Sequence, residues 1–164
     1  MSIEVKPITP GDHVWVMQFL EETAHSLRVV SRGVLHQPEM LPGFIGLHNG
    51  KPGALLTYHI THNELEVVTL HSAIEEQGLG SALLQAAREA AIKHHCRRLW
   101  LITTNDNTHA IRFYQKRGMV ITAIHTNALT HSRTLKPEIP LLGNDGIPIR
   151  DEIEFEIQLE AQHV

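Results

Sequence analysis

The 164 residues suffice for one domain with a full hydrophobic core and leave no room for a second. An apolar share of 42% and a charged share of 20% exclude a disordered chain. The net charge of −4 argues against a general nucleic-acid or anionic-membrane surface, which would be basic. The single cysteine, Cys96, permits no internal disulfide and no CxxC metal knuckle, and it fits a reducing compartment. Residues 1–6 lack the basic-then-apolar pattern of a signal peptide, and no run of about 18 apolar residues occurs. A cytoplasmic protein is therefore expected. The thirteen histidines are scattered without HExxH-type spacing, so no metal is expected.

Residues 3–8 alternate as a strand does, and Thr9-Pro10-Gly11-Asp12 reads as a turn and cap before a helix reaching about Ala24. Pro38 and Pro42 limit a second helix to about residues 26–34. Residues 43–47 and 53–60 read as strands joined by a hairpin turn at Asn49-Gly50. Residues 64–71 form a third strand, rich in Val, Leu and Thr. The period then becomes helical: Leu79, Leu83, Ala86 or Ala87, and Ala90 recur at three to four residues over a helix at about 79–94. Residues 98–103 read as a buried strand. Residues 107–117 read as a helix closed by Gly118 in the left-handed C′ position. A strand is expected at 119–126 and a half-exposed alternating strand at 153–160. Between these last two lies a long segment, 127–151, whose length marks it as functional. The whole predicts an α/β (α+β) domain, a mixed and mostly antiparallel sheet flanked by helices on both sides.

The strongest local motif is Glu75-Glu76-Gln77-Gly78-Leu79-Gly80-Ser81, between the strand at 64–71 and the following helix. A strand feeding a glycine turn that opens a helix presents free N–H groups and a partial positive charge to an anion. A Walker loop would need lysine before Ser81, and a dinucleotide fingerprint would need a small residue where Leu83 stands.

Residues 68–84 resemble the acetyl-CoA signature of GNAT acetyltransferases: Arg or Gln, two variable residues, Gly, one variable residue, then Gly or Ala. A second segment, Asn107-Thr108-His109-Ala110-Ile111-Arg112-Phe113-Tyr114-Gln115-Lys116-Arg117-Gly118-Met119, is similar to that family's Asn-x-x-Ala-x-x-Phe-Tyr-x-Lys-x-Gly-Phe run. Both matches, in order, cover roughly residues 64–126. The resemblance implies a single GNAT-like domain over 1–164. That domain would be an acetyl-CoA-dependent N-acetyltransferase acting on a primary amine of a small molecule or peptide, by direct transfer through a tetrahedral intermediate. One position departs from the signature: Glu75 stands where the family has Arg or Gln, and a carboxylate there repels a pyrophosphate.

The implied cofactor contacts are Val68 and Leu70 through the main chain, Gln77, Gly78, Leu79, Gly80 and Ser81 around the pyrophosphate, and Asn107, Ala110 and Tyr114 along the next helix. Asn107, Ala110 and Tyr114 share one helical face. Tyr114 is the expected acid, because a phenol of pKa about 10 can protonate a departing thiolate. Asn105 is the alternative to Asn107 if the register shifts. Glu64, Glu66, Val68 and Leu70 are expected on one strand face, with Glu64 or Glu66 as base, His71 as a third candidate and a water chain as a fourth route. Cys96 lies away from both motifs and reads as structural, which favours direct transfer.

The acceptor pocket is expected from residues 25–42 and 127–151, where Arg28, Arg32, Lys136, Glu138, Arg150 and Asp151 could read a substrate. The expected partners are acetyl-CoA and an amine, with no nucleic acid, membrane or metal, and homodimerisation through the C-terminal strand is an open expectation. The rival reading is a non-catalytic acyl-CoA-binding regulatory protein, for which Glu75 is the support.

Overall fold

In the computed structural model of the chain, residues 2–74 and 78–159 are described. The elements in order are β1 (Ile3–Pro7), α1 (His13–Ala24), β2 (Val29–Ser31), β3 (Val34–His36), β4 (Gly43–His48), β5 (Lys51–Thr61), β6 (Glu64–Ser72), α2 (Leu79–Lys93), β7 (Arg98–Thr104), α3 (Thr108–Lys116), β8 (Val120–His125), α4 (Ala128–Leu135) and β9 (Glu152–Gln158). Seven strands form one sheet in the order β1-β4-β5-β6-β7-β9-β8. All neighbours are antiparallel except β6 and β7, which α2 joins as a parallel crossover.

The turns follow their residues. Asn49 and Gly50 take φ of 52° and 79°, and His62 and Asn63 take 51° and 59°. Left-handed pairs of this kind match the twist of the strands they join. Arg32 and Gly33 do the same at 48° and 76°, and here the structure corrects the helix expected over 26–34. The segment is the hairpin β2–β3, with Val29 paired to His36 and Ser31 to Val34. Val29, Val30 and Val34 are stiff at χ1 and favour strands, and Arg32-Gly33 closes the turn. The segment 127–151 likewise holds α4 and a short 3₁₀ turn at Asn144–Gly146.

The sheet separates two apolar layers. On one face α2 packs Leu83, Ala87 and Ala91 against Leu56, Leu65, Leu99, Leu101 and Phe155. On the other, α1 packs Val16, Phe19 and Leu20 against Ile45 and Leu55. Leu20, Leu55, Leu56, Leu65, Leu83, Leu99 and Phe155 are fully buried. No described helix is long and apolar enough to cross a membrane.

Two features of the sheet matter for the site. Pairing shifts between Thr57↔Thr69 and Tyr58↔Val67, so Val68 is an extra residue, a bulge. In addition, β6 and β7 pair only from Glu64↔Arg98 to Val67↔Leu101 and diverge beyond that point. The bulge also reverses the alternation. Glu64 and Glu66 lie on the α1 face opposite Thr61 and His59, whereas Leu70, opposite Leu56, packs into the α2 layer. The expected shared face of Glu64, Glu66, Val68 and Leu70 is thus broken at Val68. Strand β9 is paired on both sides, by β7 and β8, so the C-terminal strand offers no free edge for a dimer.

At Gly43, a Cβ would stand 2.0 Å from the Leu56 carbonyl oxygen and 2.9 Å from the Thr57 Cα, both backbone atoms of the paired strand. Gly43→Ala is expected to destabilise the fold by about 3 kcal/mol or more, read as a lowered denaturant midpoint.

Candidate active site

Where β6 and β7 part, a cleft of about 760 Å³ opens between them, bounded by the start of α2 and by α3. The expected cofactor contacts Val68, Leu70, Gly78, Leu79, Gly80, Ser81, Asn107, Ala110 and Tyr114 all line it. Gln77 and Glu75 lie outside the described residues. The opening reaches through the sheet. Its walls include Val67 and Leu70 of the α2 face as well as Thr69, His71 and Ile102 of the other.

Local chemistry explains the cradle. Gly78 caps α2 with φ of 81°, a left-handed conformation that glycine adopts without strain. Gly80 has a packing reason as well, because a Cβ there would stand 3.0 Å from the Phe113 ring. The Arg117 guanidinium lies 3.7 Å from the Phe113 ring centroid and donates to Ser81 Oγ at 2.8 Å, at the start of α2. His109, Arg112, Lys116 and Arg117 all line the cleft, a basic wall beside the helix start. That wall was missed in the sequence, although the charges stand in the quoted α3 run. Their meaning depends on α3 lying against α2.

Asn107 caps α3 by accepting from the Ala110 N–H at 3.1 Å. Asn105 is committed elsewhere: its Oδ1 accepts from the Arg150 and Asp151 N–H groups and its Nδ2 donates to the Pro148 carbonyl. The Tyr114 ring packs against Phe113 and Phe155, at 5.4 and 5.7 Å between centroids. Burial raises its phenol pKa, so it stays protonated through the neutral range.

The two candidate bases part company. Glu64 pairs with Arg97 and, at 2.9 Å, with Arg98. Burial pushes its pKa up, but the two guanidinium groups outweigh that and hold it below the ordinary value. Glu64 is thus an ionised, committed partner. Glu66 is 5% exposed, accepts from Ser31 Oγ at 2.6 Å and has His36 Nε2 at 3.6 Å. Burial, helped by nearby Glu152 and Glu154 and opposed by the Ser31 hydrogen bond, pushes its pKa up to about 7. His71 is held below its ordinary pKa by burial. Cys96 is buried in the α2 layer.

The alternating strand 153–160 was expected to show its polar face to solvent. Instead Glu152 and Glu156 of β9 are buried at 2% and 9% exposure. Arg32 at the hairpin turn meets Glu152 at 3.0 Å, and Arg98 meets Glu154 and Glu156 at 2.7 and 2.9 Å. The 25–42 and 127–151 regions do come together over this face. Arg28 pairs with Glu138, Lys136 Nζ donates to the Arg28 carbonyl at 2.9 Å, and Arg150 pairs with Asp151 at 2.9 Å. Arg28, Lys136 and Glu138 therefore bind the two segments to each other, whereas Arg150 and Asp151 pair within the second and Arg32 reaches Glu152.

The family model described as the acetyltransferase (GNAT) family matches residues 11–119, and the chain belongs to that family. It is 46% identical over 127 residues, 77% of this chain and 79% of the relative, to the uncharacterized protein YdhI of Bacillus subtilis strain 168. Its fold resembles that of an IAA acetyltransferase from Bacillus cereus ATCC 14579, with a TM-score of 0.74, 20% identity and coverage of 96% of this chain and 100% of the other. It also resembles a GNAT family acetyltransferase from Elizabethkingia anophelis with acetyl-CoA bound, with a TM-score of 0.67, 19% identity and coverage of 96% and 98%.

The raised Glu66 pKa has a consequence for stability. Between about pH 4.5 and 7 the folded state holds a proton at Glu66 that the unfolded state has lost, so this group's contribution falls as pH rises. Glu66→Gln removes that loss. The variant's stability relative to the native chain is expected to rise by about 3 kcal/mol between pH 5 and pH 8, read by chemical denaturation at each pH.

Proposed function

We propose that the chain is an acetyl-CoA-dependent N-acetyltransferase that transfers the acetyl group directly to an amine. The observation that carries this reading is the opening at Val68, which joins two unlike environments across the sheet. On one side lie the α2 N–H groups and the basic wall of α3, suited to a pyrophosphate. On the other, Thr69, His71 and Ile102 line the opening, and Glu66, poised near neutrality, stands two residues before Val68 on β6 without lining it. Family membership and the acetyl-CoA bound to a relative of the same fold support the choice of co-substrate.

Acetyl-CoA supplies the acyl group as a thioester. Gly78, Leu79, Gly80 and Ser81 hold the phosphates through the helix start, with Arg112, Lys116 and Arg117 supplying positive charge. The bulge turns main-chain groups around Val68 toward the arm that enters between β6 and β7. Glu66 takes a proton from the attacking amine as the C–N bond forms. Tyr114, neutral because it is buried, gives its proton to the sulfur as the C–S bond breaks. The phenol recovers its proton from solvent and Glu66 releases the one it took.

Titration calorimetry with acetyl-CoA and an assay for free CoA on a panel of amines test this reading. Binding with turnover is expected, and Tyr114→Phe should lower kcat about 100-fold with little change in acetyl-CoA affinity. Tight binding with no turnover on any amine would instead establish a regulatory acyl-CoA-binding protein. Because only the carboxylate form of Glu66 accepts a proton, kcat/KM should rise with pH through about 7. That limb should vanish in Glu66→Gln, together with about 100-fold or more of the rate.

A further inference from the structure

Two buried threonines stand where the register of the sheet shifts. Thr57 of β5 and Thr69 of β6 are the cross-strand pair that adjoins the extra residue, Val68. They are 0% and 3% exposed, and their Oγ atoms lie 2.7 Å apart. Thr69 lines the cleft, whereas Thr57 does not.

Their bonding ties the bulge to the middle of the sheet. The Tyr58 N–H donates to the Pro42 carbonyl, just before β4, at 3.0 Å. Successive amides of a strand point to opposite edges, so the Thr57 N–H faces β6. There it donates to Thr69 Oγ at 3.2 Å. The Thr69 hydroxyl thus meets a main-chain donor and a second hydroxyl on the same neighbouring residue. From its other side Thr57 is held by β4, where it pairs with Gly43. The approach is so close that a Cβ on Gly43 would stand 2.9 Å from the Thr57 Cα. Thr57 is therefore a fixed post, and Thr69 is fastened to it. A cross-strand threonine pair ordinarily serves sheet stability alone. This pair is fastened next to a residue left out of the ladder, whose geometry depends on the bonds beside it.

We propose that the Thr57–Thr69 hydroxyl pair is a positioning device for acetyl transfer. It holds the Val68 bulge, and with it the main-chain groups that meet the thioester arm, in the geometry that the attacking amine requires. This inference rests on the N-acetyltransferase reading above.

Steady-state rates on an amine that the native chain acetylates, with acetyl-CoA affinity from calorimetry, test it. Thr57→Val and Thr69→Val keep the side-chain shape and remove a hydroxyl. Each is expected to lower kcat about 10-fold or more, because small displacements of reacting groups are costly. Acetyl-CoA affinity, set by the phosphate contacts at the start of α2, should stay within about 2-fold. Thr57→Val is the sharper probe, since Thr57 lines no part of the cleft and acts only through Thr69. The double variant should lose no more than the worse single one, as expected of two residues that act as one unit. Thr57→Ser and Thr69→Ser keep the hydroxyl and should retain kcat within about 3-fold. If the valine variants fold poorly, Thr57→Ala against Thr57→Ser, which differ by one hydroxyl, gives the same comparison. A role in stability alone would lower the denaturant midpoint and leave kcat of the folded enzyme unchanged. That result, or equal losses with and without the hydroxyl, would overturn this inference and leave the transferase standing. Acetyl-CoA binding with no turnover on any amine by the native chain would overturn both.

Discussion

The extra residue at Val68 sets the organisation of the molecule. A parallel pair that continued past Val67 and Leu101 would leave the sheet closed and the two helix layers insulated from each other. With the bulge, β6 turns away from β7 at the level where α2 and α3 begin. The gap then exposes main-chain groups that would otherwise be paired. Its position also decides which side chains meet. Glu66, two residues before the bulge, stays on the α1 face, while Leu70, two after it, turns into the α2 layer.

The charged face of β9 is the second constraint. Three glutamates alternate with Ile153, Phe155 and Ile157, and the apolar set goes into the α2 layer as the pattern requires. The polar set would ordinarily face water. Instead Arg32 of the β2–β3 hairpin meets Glu152, Arg98 meets Glu154 and Glu156, and the same hairpin lays Ser31 and His36 over Glu66 of the neighbouring β6. Burial under that cover is what lifts the Glu66 pKa, and the uneven answer in guanidinium groups leaves Glu66 with a hydroxyl and an imidazole for company. Stability and chemistry pull apart here. The same withdrawal from water that costs folding energy poises a carboxyl near neutrality.

The segment between β8 and β9 shows how a long connection is kept in place. Asp106 accepts from the Asn144 N–H and Nδ2, and Asn105 holds the backbone at 148–151. Arg133 of α4 donates to the carbonyls of Ile139, Pro140 and Ile149. Side chains at the end of β7 thus satisfy backbone groups that have no strand to pair with. The same strand end leads through Asn107 into α3, so the connection between β8 and β9 and the helix bearing Tyr114 share one anchor.

By itself the sequence determined most elements, the turn at Asn49-Gly50 and the left-handed Gly118, because these depend on neighbours within a few residues. The two glycines of the loop and the run through Tyr114 also marked the family, since motif spacing is a property of the chain alone. Only the tertiary structure set Glu64 and Glu66 apart. The two are equivalent in alternation and differ in what stands opposite: two arginines for one, a buried hydroxyl and an unpartnered imidazole for the other. It likewise decided that residues 29–36 form a hairpin and that β9 hides its glutamates. Burial is a property of distant segments brought together, and no local period records it.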